Sequence, residues 1–111
     1  MNDTNYIGTV VKLLETPNQK MLQNKILVTK FRAQIPQLRN TRFITVTVWG
    51  NLARDVAIYY KINDYLLIEG YISLRDKKNS KLTFYKSSKV QITALKVYPF
   101  LLNYDSSIQN I

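Results

Sequence analysis

Apolar and polar residues alternate in short runs along most of this chain, and the runs end at polar, Pro- or Asn-bearing stretches. Residues 6–14 read as a first strand, with Gly8 as a bulge. Residues 15–20, with Pro17 and Asn18, read as a loop. A second strand follows over residues 25–33. Its Ile26, Val28, Lys30 and Arg32 point one way, and Leu27, Thr29, Phe31 and Ala33 the other. After a loop over residues 34–41 comes the clearest strand, residues 42–49. Ile44, Val46 and Val48 make its aliphatic core face. Phe43, Thr45, Thr47 and Trp49 make the other face, where two aromatics flank small polar residues, a pattern that suits a half-exposed surface.

Gly50 stops that strand, and Asn51 suits a helix N-cap. Residues 52–61 predict a short helix with Leu52, Val56 and Tyr59 or Tyr60 on one stripe. A turn at Asn63 and Asp64 leads to a fourth strand over residues 65–75. Leu66, Ile68, Ile72 and Leu74 should face its core side, where Gly70 permits a sharp bend. Residues 76–81 form a polar hairpin. Residues 82–97 form a fifth strand, irregular near Ser87 and Ser88 and ended by Pro99. The expected organisation is one domain over residues 1–98 and a short tail over residues 99–111. Five strands with one short helix between the third and fourth is the order of an OB-fold, an all-β Greek-key barrel.

Composition narrows the chemistry. In 111 residues there is no Cys and no His. That excludes disulfides, a thiolate nucleophile, a cysteine zinc site and an imidazole base or ligand. Gly8, Gly50 and Gly70, the only glycines, cannot write a phosphate-cradling glycine loop. No cofactor, no metal, no small-molecule substrate and no enzymatic activity are expected. Glu69 and Asp64 read as structural, since one lies on an outer strand face and the other in a turn.

Charge is the positive signal. Lys and Arg total 16 against 7 Asp and Glu, a formal net charge of +9. Six lysines, Lys77, Lys78, Lys81, Lys86, Lys89 and Lys96, follow one another with no acid between them. A concentrated basic face attracts polyanions, either nucleic acid or an anionic membrane. The apolar stretches are far short of the about 20 residues that span a bilayer, so no membrane association is expected. No signal or transit peptide is expected either, because the N-terminal residues include Asp3 and no basic cluster. Asn, Lys, Ile, Tyr and Phe, whose codons are AT-rich, make up 44 residues. This composition points to an AT-rich genome such as that of an organelle, and a place inside the cell is expected.

On an OB-fold, ligands meet the second and third strands and the loops that flank them. Phe43 and Trp49 fall there, and Phe31 is a possible addition. Lys77, Lys78 and Lys81 fall on the last hairpin with Lys86 and Lys89 just beyond, and Lys20 falls on the first loop. Rings interleaved with lysines suit a single strand of nucleic acid. Unpaired bases stack on flat rings without regard to sequence, while ammonium groups neutralise phosphates.

The run from Phe43 through Trp49 to Gly50, Asn51, Leu52 and Ala53 resembles the core motif of the bacterial and organellar single-stranded DNA-binding protein family. The spacing to Val56, Ala57, Tyr60, Ile68, Glu69 and Gly70 fits, as do Tyr6, Ile7, Gly8 and Val10. The resemblance covers roughly residues 4–97. It implies an OB-fold, sequence-tolerant binding of single-stranded DNA in replication and repair, no catalysis, and a homo-oligomer, a tetramer or dimer. It also implies that Phe43 and Trp49 sit at stacking positions and Arg75 at a basic position. Three departures stand out. Lys77 or its neighbours replace a stacking tryptophan, and Phe31 is the only candidate for another. In place of an acidic C-terminal tail ending in Pro-Phe, Pro99 and Phe100 lie in the interior with Asp105 alone beyond them. Binding with less stacking and more lysine should be more salt-sensitive.

Two other functions fit the same fold. One is an assembly subunit of a replication complex, of primosomal type, which would bind DNA weakly and show an apolar patch around Tyr65 and Tyr71. The other is single-stranded RNA binding, although the sequence shows no device for sensing a 2′-hydroxyl.

Overall fold

The structure, a computed structural model, describes residues 5–36, 43–76 and 88–103, with the side chains of Arg75, Asp76, Ser88 and Lys89 left out. Six strands and one helix follow in the order β1 (Tyr6–Leu13), β2 (Asn18–Met21), β3 (Leu27–Gln34), β4 (Ile44–Trp49), α1 (Gly50–Tyr59), β5 (Tyr65–Asp76) and β6 (Ser88–Leu101). The sheet runs β1-β5-β6-β4-β3-β2, and β1 also pairs with β3. That last pairing, Lys12 with Gln34 and Leu13 with Ala33, closes β1, β5, β6, β4 and β3 into a barrel. The parallel β4–β6 pair is its one parallel contact. This is the expected OB-fold, with one strand more than predicted.

The additional strand is β2. The loop expected over residues 15–20 instead becomes strand from Asn18, running beside β3 in the same direction as β1, and turns back at residues 22–26 to close a β2–β3 hairpin. All four β2 residues are exposed, so the hydrophobic alternation that marks a strand is missing from it. Its other edge faces no strand among the described residues.

The inner face of the barrel follows the period-two reading. Phe31, Ala33, Ile44, Val46, Val48, Leu66, Ile68 and Ile92 are buried together with Val11 and Leu13. The helix packs beneath through Ala53 and Val56, both fully buried. Thr29, also buried, donates its hydroxyl to the Ala53 carbonyl at 2.8 Å, so the one polar side chain that β3 sends inward is satisfied there. Buried Asp64 ties three segments together. Its carboxylate accepts from the backbone N–H of Lys61 and of Asn103, and its carbonyl accepts from Leu13 N–H.

Local expectations fail in four places. Gly8 is not a bulge, since β1 and β5 pair without interruption from Tyr6 to Lys12. Asn51 does not cap the helix. Trp49 occupies the N-cap position without a side-chain cap bond, and the Asn51 side-chain Oδ1 accepts from Arg54 Nη2 instead. Leu74 is 66% exposed, because it lies on the part of β5 that pairs with β6 beyond the barrel wall. Pro99 does not end the last strand, which continues to Leu101. β4 pairs only with Gln91 to Ala94, so near Pro99 the strand has one neighbour, and its pairing slips beside that point between Tyr65 and Leu66. The hairpin expected at residues 76–81 falls outside the described residues after Asp76.

The β5–β6 pairing shifts register between Glu69 and Gly70, where the two strands approach closely. A Cβ there would overlap the Thr93 carbonyl oxygen and stand 2.9 Å from Ala94 Cα. At Gly8 the nearest atom to an added Cβ is the flexible Glu69 Cγ at 3.6 Å. Gly70→Ala should therefore cost about 3 kcal/mol or prevent folding. Gly8→Ala should change stability by less than about 1 kcal/mol. Urea unfolding of the two variants checks this, and similar losses in both would contradict the close-approach argument.

Candidate nucleic-acid interface

Directly opposed residues of an antiparallel pair project to the same side of the sheet. Across β3 and β4, Val28 opposes Trp49, Lys30 opposes Thr47 and Arg32 opposes Thr45. Since Phe31, Val46 and Val48 fill the interior, this set lies on the outer face. Phe43, just before β4, shares the same alternation. β2 adds Asn18 opposite Lys30 and Lys20 opposite Val28. On the other flank, Gln91 and Thr93 of β6 pair with Thr45 and Thr47.

Trp49 is 46% exposed and Phe43 42% exposed. Six strand residues at about 3.3 Å each set the two rings about 20 Å apart, so no single base touches both. Trp49 keeps an extended backbone at the very end of β4. Gly50 then turns the chain into α1 with φ of 71°, a conformation open to glycine and costly for other residues. The strand-to-helix corner thus presents the indole at the edge of the sheet.

A groove of about 690 Å³ opens beside Trp49. Buried Val28 and Pro17 and exposed Leu22 supply its apolar lining beside the indole. Lys20 and Lys30 line it with exposed ammonium groups, and Glu15, Thr16 and Asn18 line it from the β1–β2 side. Flat apolar surface bordered by two cations is what a base and its phosphates require.

Glu15 reaches across to Arg32. One carboxylate oxygen accepts from Arg32 Nε at 3.2 Å and Nη2 at 3.0 Å; the other accepts from the Arg32 backbone N–H at 2.8 Å. The side-chain hydrogen bonds from Arg32 hold the Glu15 carboxyl below its ordinary range, helped by the backbone N–H and the guanidinium charge and opposed by partial desolvation. The same guanidinium stands 5.5 Å from the centre of the Phe43 ring, within cation–π range.

The residues expected from sequence divide four ways. Phe43, Trp49 and Lys20 come together on one face. Phe31 does not join them: it is 1% exposed and packed in the core, so it offers no ring face to a ligand. Arg75 and Lys89 pair through their backbones at the far end of the β5–β6 ribbon. Lys77, Lys78, Lys81 and Lys86 lie outside the described residues. Sequence reasoning overlooked Lys30 and Arg32 as site residues, although the alternation of β3 already placed them opposite Phe31. Tyr71, placed by the assembly reading in an apolar patch, is 48% exposed on the side where β1 meets β5. There it meets Tyr6 edge to face at 5.3 Å.

Residues 1–100 match the sequence profile of the Single-strand binding protein family. The chain belongs to this family. A curated relative from Trieres chinensis, named "Putative single-stranded DNA-binding protein ycf41", is 38% identical over 103 residues, covering 89% of this chain and 91% of that one. Two crystal structures share the fold. The SSB domain of a Synechococcus sp. protein superposes with a TM-score of 0.68 at 18% identity, covering 88% of this chain and 98% of that one. The small single-stranded DNA-binding protein of Streptomyces coelicolor superposes with a TM-score of 0.76 at 20% identity, covering 91% and 97%. The single-strand binding family profile spans both the β3–β4 ribbon and the β5–β6 ribbon.

The depressed Glu15 carboxyl links the β1–β2 connection to pH. Its contribution to stability is present above the unfolded Glu value of 4.5 and lost as pH falls through the lower folded value. The side chains of Arg32 and Glu15 remain 54% and 37% exposed, so solvent screens the pair and the effect is small. The thermal midpoint of the native protein should exceed that of Glu15→Gln at pH 7, and the gap should close in acid. A gap of constant size at every pH would show that the ion pair contributes nothing.

Proposed function

We propose that this protein binds single-stranded DNA with little sequence preference, in support of DNA replication and repair, and catalyses no reaction. The observation that carries this reading is the placement of two half-exposed rings, Phe43 and Trp49, on one outer sheet face beside Lys20 and Lys30. Membership of the single-strand binding family and the printed name of the Trieres relative support it. Each ring takes a different base, worth about 1–3 kcal/mol per stacked base, and the ammonium groups replace counterions on the phosphates. Arg75, Lys77, Lys78, Lys81, Lys86 and Lys89, a run of cations in sequence, add to this phosphate-neutralising charge on the same reading.

The reading includes a homo-oligomer, a dimer or tetramer, with the Tyr6–Tyr71 side of the barrel as a contact surface. It also includes an organelle, plastid or mitochondrion, as the place of action, supported by an amino-acid composition rich in residues whose codons are AT-rich. Neither an assembly subunit nor an RNA-binding protein is favoured by a specific feature, since two exposed rings flanked by cations serve no purpose in pure assembly.

Trp49 is the only tryptophan of the chain, so its emission reports on the site directly. Oligo-dT should quench it, and an RNA of equal length gives the comparison for sugar preference. Trp49→Ala should weaken oligo-dT binding by about tenfold, the equivalent of one stacked base. Unchanged emission together with unchanged affinity would remove the rings from the interface.

A further inference from the structure

Arg32 has two possible roles on this face. It can clamp a phosphate, or it can lie over the ring of Phe43. Glu15 determines which. Its carboxylate takes the guanidinium edge through Nε and Nη2, the edge a phosphate would use, and takes the Arg32 backbone N–H as well. The guanidinium plane is left 5.5 Å from the Phe43 ring with its charge compensated. Lys30 lies two residues away on the same face and has no ion-pair partner among the described residues. Glu15 is the one acid among the residues lining the Trp49 groove.

A carboxylate on a polyanion-binding face opposes every phosphate that approaches. Its effect on the two forms of DNA is unequal. A duplex offers phosphates but keeps the faces of its bases stacked inside. A single strand offers phosphates and open base faces together. We propose that Glu15 sets the preference for single over double strands, by holding Arg32 as a ring partner of Phe43 and withholding it from phosphate. Glu15 is thus a positioning residue that suppresses charge-only binding. This inference rests on the single-strand-binding reading and adds a residue-level cause for its selectivity.

The test titrates oligo-dT and a duplex of equal length against the full chain between 50 and 200 mM salt, roughly the range over which counterion release dominates. Glu15→Gln keeps an acceptor for the Arg32 backbone N–H while removing the charge. It should raise duplex affinity about threefold or more and steepen the duplex salt slope by about 0.9, one additional phosphate contact. Oligo-dT affinity should rise by a smaller factor than duplex affinity, because the gain in charge is offset there by a looser ring. Arg32→Gln is the second variant. It should weaken oligo-dT binding and leave the duplex slope at its native value, because that cation was already compensated. Lys30→Gln should instead flatten the slope for both ligands.

A Glu15→Gln protein whose two affinities rise by the same factor, or do not change, would overturn the proposal. So would a duplex slope that flattens by about 0.9 in Arg32→Gln. If the native protein shows no preference for oligo-dT, the binding reading fails and this inference with it. If the preference is present and the variants do not alter it, only the inference fails.

Discussion

The barrel closes only because one strand can approach another without a side chain between them. At Gly70 the Thr93 carbonyl occupies the space where any other residue would carry its Cβ. The register of β5 and β6 shifts there, and on either side of the shift the two strands serve different neighbours. β5 keeps β1 along Tyr65 to Tyr71, while β6 passes to β4 over Gln91 to Ala94. Without that division, β4 would lose a flank and the outer face of the β3–β4 ribbon would have no fixed shape. The arrangement of rings and cations therefore depends on a packing constraint one strand away, where Gly70 meets Thr93 and Thr93 pairs with Thr47.

The ribbon that builds the core also builds the site, by strict alternation. Phe31 enters the core, and its neighbours Lys30 and Arg32 are therefore exposed. Val46 and Val48 enter, and Thr47 and Trp49 emerge. A slip of one residue in the β3–β4 register would bury the cations and expose the valines, so the same hydrophobic burial that stabilises the barrel fixes the site. The Thr29 bond to Ala53 reinforces this register by fastening the ribbon to the helix beneath it.

Most of the barrel was legible in the sequence because its strands are long enough to show the alternation. The β4 pattern of aliphatic and aromatic-polar faces led to the inner and outer sides that the structure displays. β2 was not legible, since a four-residue strand with every side chain exposed has no apolar periodicity to detect. Phe31 was weighed by its aromatic character, and its place in the alternation with Lys30 and Arg32 was the better guide. The Glu15–Arg32 contact spans 17 positions of sequence and depends on the β2–β3 hairpin returning β3 alongside the β1–β2 connection, which no local pattern encodes. Leu74 and Pro99 misled for a shared reason: both lie on parts of the β5–β6 ribbon that have run past the β4 partner, where the rules for a central strand no longer apply.

The distance between the two rings also has a meaning of its own. On the proposed reading, a nucleotide fragment too short to bridge Phe43 and Trp49 engages one ring and gains one stacking contact. A longer strand engages the second ring as an intramolecular step, with the first contact already holding it in place. Affinity then climbs steeply once the fragment spans the gap. The surface becomes a gauge of how much unpaired strand is available, indifferent to brief fraying at a duplex end and responsive to a sustained opening.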